Sequence, residues 1–314
     1  MGKIAFIFPG QGAQTVGMGK NLCDNFKEAR EVFAEADEAL AFKLSSLCFG
    51  GPGTELNLTA NTQPAVLTMS IASLRVIEKN LEIIPDYVAG HSLGEYSALV
   101  GTKAFSFTDG VKAVQKRGQF MQEAVPEGEG GMAAVLGLSR EDVEDVCQKA
   151  SEGDVITPAN FNCPGQIVIS GKVKALERAI ALAKEKGSPR TVVLPVSAPF
   201  HCALMEPAAE KLKNYLQGVT VHPLAYPVVT NVDAKPNQEA SRVKEILIKQ
   251  VTHPVLWEDS ILGMKEIGVT TYIEIGPGRV LTGLVKKIDK PATLFNVEDT
   301  ESLKKLEKIW KEMH

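Results

Sequence analysis

The sequence predicts an α/β fold: a large domain built on a parallel sheet, in two chain segments, interrupted by a small unit of its own. Three observations carry this. Strand-like and helix-like segments alternate from Lys3 to about Val125. Six segments between Met132 and Val196 then follow the order strand, helix, strand, strand, helix, strand. After them the alternation resumes.

Taken in order, Ile4-Ala5-Phe6-Ile7-Phe8 is a short apolar run stopped by Pro9-Gly10, which suits a strand buried on both faces. Pro64 stands before an apolar-periodic stretch (Val66, Leu67, Ser70, Leu74, Ile77) and is expected to open a helix. Asp86–Gly90 reads as a second strand and Leu93–Val100 as a helix. Thr108 or Asp109 is expected to cap a further helix running to Val125. Pro126-Glu127-Gly128-Glu129-Gly130-Gly131 reads as a linker.

Within the small unit, Met132–Leu136, Val155–Asn160, Gln166–Ser170 and Thr191–Val196 are strand-like, and Arg140–Ala150 and Val173–Lys186 helical. That is the ferredoxin-like βαββαβ order. The expected boundaries are 1–127 and 197–314 for the large domain and 128–196 for the insert. Beyond it come a helix near Ala203, a strand at Tyr226–Asn231 and helices around 241–250 and 257–265. A strand at Thr271–Ile275, a helix from Val280, a strand at Thr293–Val297 and a last helix complete the chain.

Composition narrows the functional classes. Apolar residues make up 44% and charged residues 23% of the 314, enough for a sizeable core. A net charge of −4 gives no sign of a nucleic-acid or basic membrane-surface protein. The five cysteines are odd in number and widely spaced, with no CxxC pair. They suggest a reducing compartment rather than a disulfide framework or a zinc site. No signal or transit pattern opens the chain, and no window approaches ~18 uninterrupted apolar residues. The expectation is a cytoplasmic, monomeric protein with no membrane span, no nucleic-acid partner and no metal.

The chemistry starts at Gly90-His91-Ser92-Leu93-Gly94-Glu95-Tyr96. It fits G-x-S-x-G between a strand and a helix, the setting of a hydrolase-like nucleophile elbow. The turn projects the Ser92 hydroxyl, and the helix behind it favours negative charge. A serine needs a base. Of the five histidines, His91 adjoins Ser92 and points elsewhere, His222 and His253 suit surface or satisfied core positions, and His314 is expected to fray. His201, in Ala198-Pro199-Phe200-His201-Cys202, is the candidate base. Cys202 has no elbow and is not expected to act as a nucleophile.

Other motifs accompany these: Phe8-Pro9-Gly10-Gln11-Gly12-Ala13-Gln14, Lys116-Arg117-Gly118 with Met121-Gln122, Asn160-Phe161-Asn162-Cys163-Pro164-Gly165-Gln166, Ala203-Leu204-Met205 and Ile275-Gly276-Pro277-Gly278. The set, in this order and over essentially the whole chain, resembles the malonyl-CoA:acyl carrier protein transacylase family of bacterial-type fatty acid synthesis. The resemblance implies Ser92 as nucleophile and His201 as base. It implies backbone N–H groups of Gln11 and Leu93 as an oxyanion hole, and the Gln250 carbonyl orienting the histidine in place of a carboxylate. Arg117 would bind the substrate carboxylate. It further implies malonyl-CoA as a substrate, no cofactor, and an acyl carrier protein as partner.

Arg117 has its own reading. At about 100° per residue it lies roughly 40° from Met121, on the flank of an apolar face. An arginine there either snorkels to solvent or meets an anion, which its planar fork can grip bidentately. Asn160 and Asn162 have two open roles, contact with a pantetheine arm or turn formation. Phe200 either crowds the substrate α-carbon or packs in the core. Gly276-Pro277-Gly278 reads as a structural turn. Gly10-Gln11-Gly12 is not a dinucleotide loop, because Thr15 stands where the third glycine would be. A serine hydrolase and a non-catalytic scaffold subunit are the rival classes. A transacylase serving polyketide synthesis would run the same chemistry.

Overall fold

The computed structural model describes residues 2–196 and 198–313. The domain edge expected at 197 and the frayed end expected at His314 fall outside the described residues.

The chain builds two sheets. Strands β1 (Lys3–Phe8) and β2 (Tyr87–Gly90) belong to the first; β3 (Gly130–Leu136), β4 (Ile156–Cys163), β5 (Gln166–Lys172) and β6 (Arg190–Val193) form the second. The chain then returns to the first sheet with β7 (Val228–Val229), β8 (Pro236–Asn237), β9 (Val269–Ile275) and β10 (Thr293–Val297). The first sheet has the order β10-β9-β1-β2-β7-β8. Its strands pair in parallel except for β8, a two-residue antiparallel edge beside β7. Side chains alternate across β1. Phe6 and Phe8 enter a core with the helix Thr59–Asn80, while Ala5 and Ile7 pack with Trp257 and Tyr272 on the other face. Both faces are therefore covered, as an apolar parallel strand requires.

The second sheet is antiparallel, in the order β4-β5-β3-β6. Helices Arg140–Ser151 and Val173–Glu185 cover one face, packing Val143, Val146, Leu176 and Ala179 onto Val135, Ile167 and Ile169. From the opposite face, Met132, Ala159 and Val168 join the core of the large domain. Backbone bonds from Phe161 to Val255 and from Val255 to Ala159, each 2.9 Å, tie β4 to the large domain. The small unit thus forms one wall of a cleft.

The structure differs from expectation in four respects. Pro64 does not open its helix. The helix starts at Thr59, with Pro64 inside it, and burial on every side offsets the one backbone bond that proline removes. The cap of the helix Phe107–Glu123 is Ser106, not Thr108 or Asp109. Its Oγ accepts from the Asp109 N–H at 3.0 Å and donates to the Asp109 carboxylate at 2.7 Å. The strand expected over Tyr226–Asn231 shrinks to β7, because the chain leaves the sheet at Thr230. Four helices between Lys20 and Leu56 have no counterpart in the sequence reading. No helix among the described residues is long and apolar enough to cross a membrane.

Candidate active site

Strand β2 ends at Gly90 and the helix Gly94–Gly101 begins four residues later. Between them Ser92 has φ 53°, in the left-handed region. Such a backbone costs a non-glycine residue about 1–3 kcal/mol and persists only where its surroundings enforce it. The turn demands its flanking glycines. A Cβ on Gly90 would run into the Gly94 carbonyl, and one on Gly94 into the Phe8 carbonyl.

His201 is also left-handed, at φ 60°. Its Nε2 lies 2.8 Å from Ser92 Oγ, and its Nδ1 lies 2.8 Å from the Gln250 carbonyl. The carbonyl can only accept, so Nδ1 carries the proton and Nε2 presents its lone pair to the serine. No carboxylate touches this imidazole among the described residues. Burial and then the nearby Arg117 charge pull the His201 pKa down to about 3, which keeps the ring neutral and ready to take a proton.

Arg117 is 1% exposed, so the solvent-reaching alternative is excluded. Its Nη1 donates to Gln63 Oε1 at 2.9 Å. Its Nη2 donates to Ser92 Oγ and to Gln250 Oε1, each at 3.0 Å. The guanidinium lies 5.6 Å from the Tyr96 ring centre, and its buried Nε has no partner among the described residues. Burial lowers the Arg117 pKa, but a guanidinium stays charged. A buried cation with a spare donor beside a nucleophile is a site for an anion.

Behind these groups lies a buried polar network. Gln250 Nε2 donates to the Ser92 carbonyl at 3.0 Å and to Glu95 Oε2 at 2.8 Å. The Asn231 N–H donates to the same Glu95 oxygen at 3.1 Å. Burial pushes the Glu95 pKa up to about 7, against the pull of these donors and of Arg117. Gln63, Glu95 and Asn231 are absent from the sequence-derived site. Glu95 stands in the quoted elbow motif. Asn231 follows the carboxyl end of a parallel strand, where sites of open α/β sheets gather.

Gln11, His91, Asn160, Asn162, Gln166 and Val280 help line a cleft of about 200 Å³ between the two sheets. Asn160 and Asn162 lie on β4, not in a turn, and Asn162 Oδ1 is 2.8 Å from His91 Nε2. The backbone N–H groups of Gln11 and Leu93 have no acceptor among the described residues. Phe200 packs in the large core. The His253 side chain is exposed and bonds the Lys249 carbonyl. The buried Cys202 thiol bonds the Pro199 carbonyl at 3.1 Å, and burial raises its pKa. Among the described residues no group of three or more His, Cys, Asp or Glu side chains is placed to hold a metal ion.

Comparison with known proteins gives the same direction. Residues 5–308 match the family described as acyl transferase domain. The chain is 53% identical over 306 residues to the malonyl CoA-acyl carrier protein transacylase of Bacillus subtilis, covering 96% of each chain. The crystal structure of the malonyl CoA-acyl carrier protein transacylase from Clostridium perfringens superposes with a TM-score of 0.95 at 49% identity, covering 99% of this chain and 98% of that one. A malonyl-transacylase solved in complex with its type II PKS acyl-carrier protein superposes with a TM-score of 0.94 at 44% identity, covering 96% and 97%. By its family match and by relatives of this identity over nearly its full length, the chain belongs to the malonyl CoA-acyl carrier protein transacylases of the acyl transferase domain family.

Proposed function

We propose that this protein transfers a malonyl group from malonyl-CoA to the phosphopantetheine thiol of an acyl carrier protein, through an ester on Ser92. The observation that carries the reading is the meeting of His201 Nε2 and Arg117 Nη2 on Ser92 Oγ, at 2.8 and 3.0 Å. One imidazole can activate the hydroxyl while one guanidinium waits within reach of the far carboxylate of a three-carbon diacid.

In the first half-reaction His201 takes the Ser92 proton as Oγ attacks the thioester carbonyl. The N–H groups of Gln11 and Leu93 receive the oxyanion, and one such donor contributes about 3 kcal/mol in comparable sites. His201 returns the proton to the departing thiolate. The carrier thiol then attacks malonyl-Ser92 and the steps reverse. Gln250 orients His201 through its carbonyl. Asn160 and Asn162, on the cleft wall, contact the pantetheine arm. The chemistry calls on no metal or redox cofactor and on one copy of the chain. The neighbour solved with its acyl-carrier protein supports a carrier protein as partner. Five free, buried cysteines support a cytoplasmic setting.

A serine hydrolase would share the elbow and the base but has no use for Arg117. Intact-protein mass measurement separates the readings. Malonyl-CoA should add one malonyl group, and holo carrier protein should then remove it as malonyl carrier. Free malonate as the main product would support the hydrolase, and no added mass would end the transacylase reading.

A further inference from the structure

We propose that Asn231 is a positioning residue that clamps the nucleophile's backbone, its side-chain amide bridging Gly90 and Ser92 across the elbow. The role rests on the reading of Ser92 as the nucleophile. Asn231 Oδ1 accepts from the Ser92 N–H at 2.7 Å, and Asn231 Nδ2 donates to the Gly90 carbonyl at 2.7 Å. One partner is a donor and the other an acceptor, so the amide has a single satisfied orientation.

The need for the clamp follows from the sheet. β2 and β7 pair through Ala89 and Val229, and β7 ends there. On that edge the chain of β2 continues into the elbow without a strand beside it, while β1 stays paired on the other through Phe8 and Gly90. Asn231, two residues past the end of β7, extends the missing ladder with its side chain. It pairs the Gly90 carbonyl and the Ser92 N–H, which would otherwise be buried and orphaned.

The clamp is itself held. Asn231 is fully buried. Its N–H is fixed by Glu95, and its carbonyl accepts from the Leu256 N–H at 2.9 Å. Gln250 grips the other side of the same residue through the Ser92 carbonyl. Ser92 is thus pinned at both its N–H and its C=O in a left-handed conformation it would not keep alone. Released, Ser92 can relax toward the right-handed region and swing Oγ off the His201 lone pair. Asn231 bonds neither imidazole nor guanidinium. Its Oδ1 also accepts from Gln250 Nε2, at a longer 3.3 Å. Its two short side-chain bonds both go to the elbow backbone, through which its effect chiefly runs.

The experiment uses full-length protein and two reagents that acylate or phosphonylate a reactive serine: malonyl-CoA, and a fluorophosphonate that carries no carboxylate and loses fluoride on reaction. Asn231→Ala should slow labelling of Ser92 by both, by about 10- to 100-fold and by the same factor. Asn231→Asp keeps the shape. Ionised, it faces the Gly90 carbonyl with negative charge; protonated, it restores an acceptor for Ser92 and a donor for Gly90. Its fluorophosphonate rate relative to wild type should therefore rise as pH is lowered from about 8 to about 5.5. A merely structural defect would not give that recovery. Unchanged labelling of Asn231→Ala overturns the clamp, as does an Asn231→Asp ratio that stays flat with pH. The fluorophosphonate decides the matter even if malonyl-CoA adds no mass to wild type, a result that would overturn the transacylase reading alone.

Discussion

Nη2 of Arg117 donates a hydrogen bond to Oγ of Ser92 at 3.0 Å. The guanidinium is therefore one hydrogen bond from the reacting oxygen, and its charge is screened by almost no solvent. An acyl group carried on that oxygen places its own distal atoms against the same cation. A substrate with a terminal carboxylate pairs the buried charge, and one without leaves it less satisfied. Arg117→Ala should accordingly lower kcat/KM for malonyl transfer by about 10³- to 10⁴-fold and acetyl transfer by far less. Steady-state assays with both thioesters check this. Equal loss of both would show that Arg117 serves only to hold Ser92. Arg117→Lys should not restore malonyl transfer, since a point charge cannot span Gln63, Gln250 and Ser92 together.

The identity of the nucleophile has a separate test. Burial pushes the thiols of Cys48 and Cys147 up to about 12 and that of Cys23 to about 11, and it raises Cys163 and Cys202 as well. Thiolate fractions at neutral pH are then negligible. Iodoacetamide should leave malonyl transfer intact in the native protein, and Ser92→Ala should accept no malonyl group. Persistent malonyl mass on that variant, or rapid inactivation by the alkylating reagent, would place the nucleophile on a cysteine.

The elbow and the outline of the fold were legible because each is a local pattern. G-x-S-x-G sits between a four-residue strand and a helix, and the four strands and two helices of the small unit follow one another without a break. Ser92, His201, Arg117 and Gln250 do meet. What joins them was not legible. Gln63 reaches Arg117 across 54 residues, and Asn231 reaches Ser92 across 139. A buried amide paired to a distant backbone has no periodicity and no spacing to betray it. Arg117 illustrates the limit. Its helix phase places it on a flank, while its burial is decided by Gln63, Gln250 and the Tyr96 ring, all from other elements. Edges failed for a similar reason: Ser106 outcompeted Thr108 as a cap, and β7 stops at Val229, where the chain leaves the sheet.

Stability should peak in mildly acid solution. Burial raises the carboxyls of Glu95 and Glu274 from the ordinary 4.5 to about 7. Folded protein thus holds more protons than unfolded chain between those values. Stability from these two groups is complete below about 4.5 and is lost as pH rises through about 7. The buried His91 and His201 act in the opposite sense. Both pKa values are lowered from 6.5, His201 to about 3, so acid below about 6.5 favours the unfolded chain. The two pairs oppose each other between about pH 4.5 and 6.5, so the Tm measured by calorimetry should be highest in that window. It should fall below that window as the histidines charge on unfolding, and be lower again above about pH 7. Glu274 accepts from the N–H groups of Leu281 and Thr282 at the start of the helix Val280–Ile288. Glu274→Gln should lower Tm throughout yet flatten the alkaline limb. A limb as steep as in wild type would remove Glu274 from the account.

Two glycine substitutions should move stability in opposite directions. Gly94 begins the helix behind Ser92, and a Cβ there meets the Phe8 carbonyl at the end of β1. Neither side can yield easily: one is the first turn of a buried helix, the other a central strand. Gly94→Ala should cost about 1–3 kcal/mol or more, as overpacking of backbone on backbone does. It should also slow acylation, because the shifted turn carries the Leu93 N–H and Ser92 with it. Gly283 lies within the helix Val280–Ile288, and a Cβ there meets nothing within 4 Å. Gly283→Ala removes only the entropic penalty of glycine in a helix and should stabilise by about 0.5–1 kcal/mol. Urea unfolding of the two variants checks the pair. A stable, active Gly94→Ala would mean that the strand and helix can separate at the elbow, and the fixed geometry assigned to Ser92 would go with it.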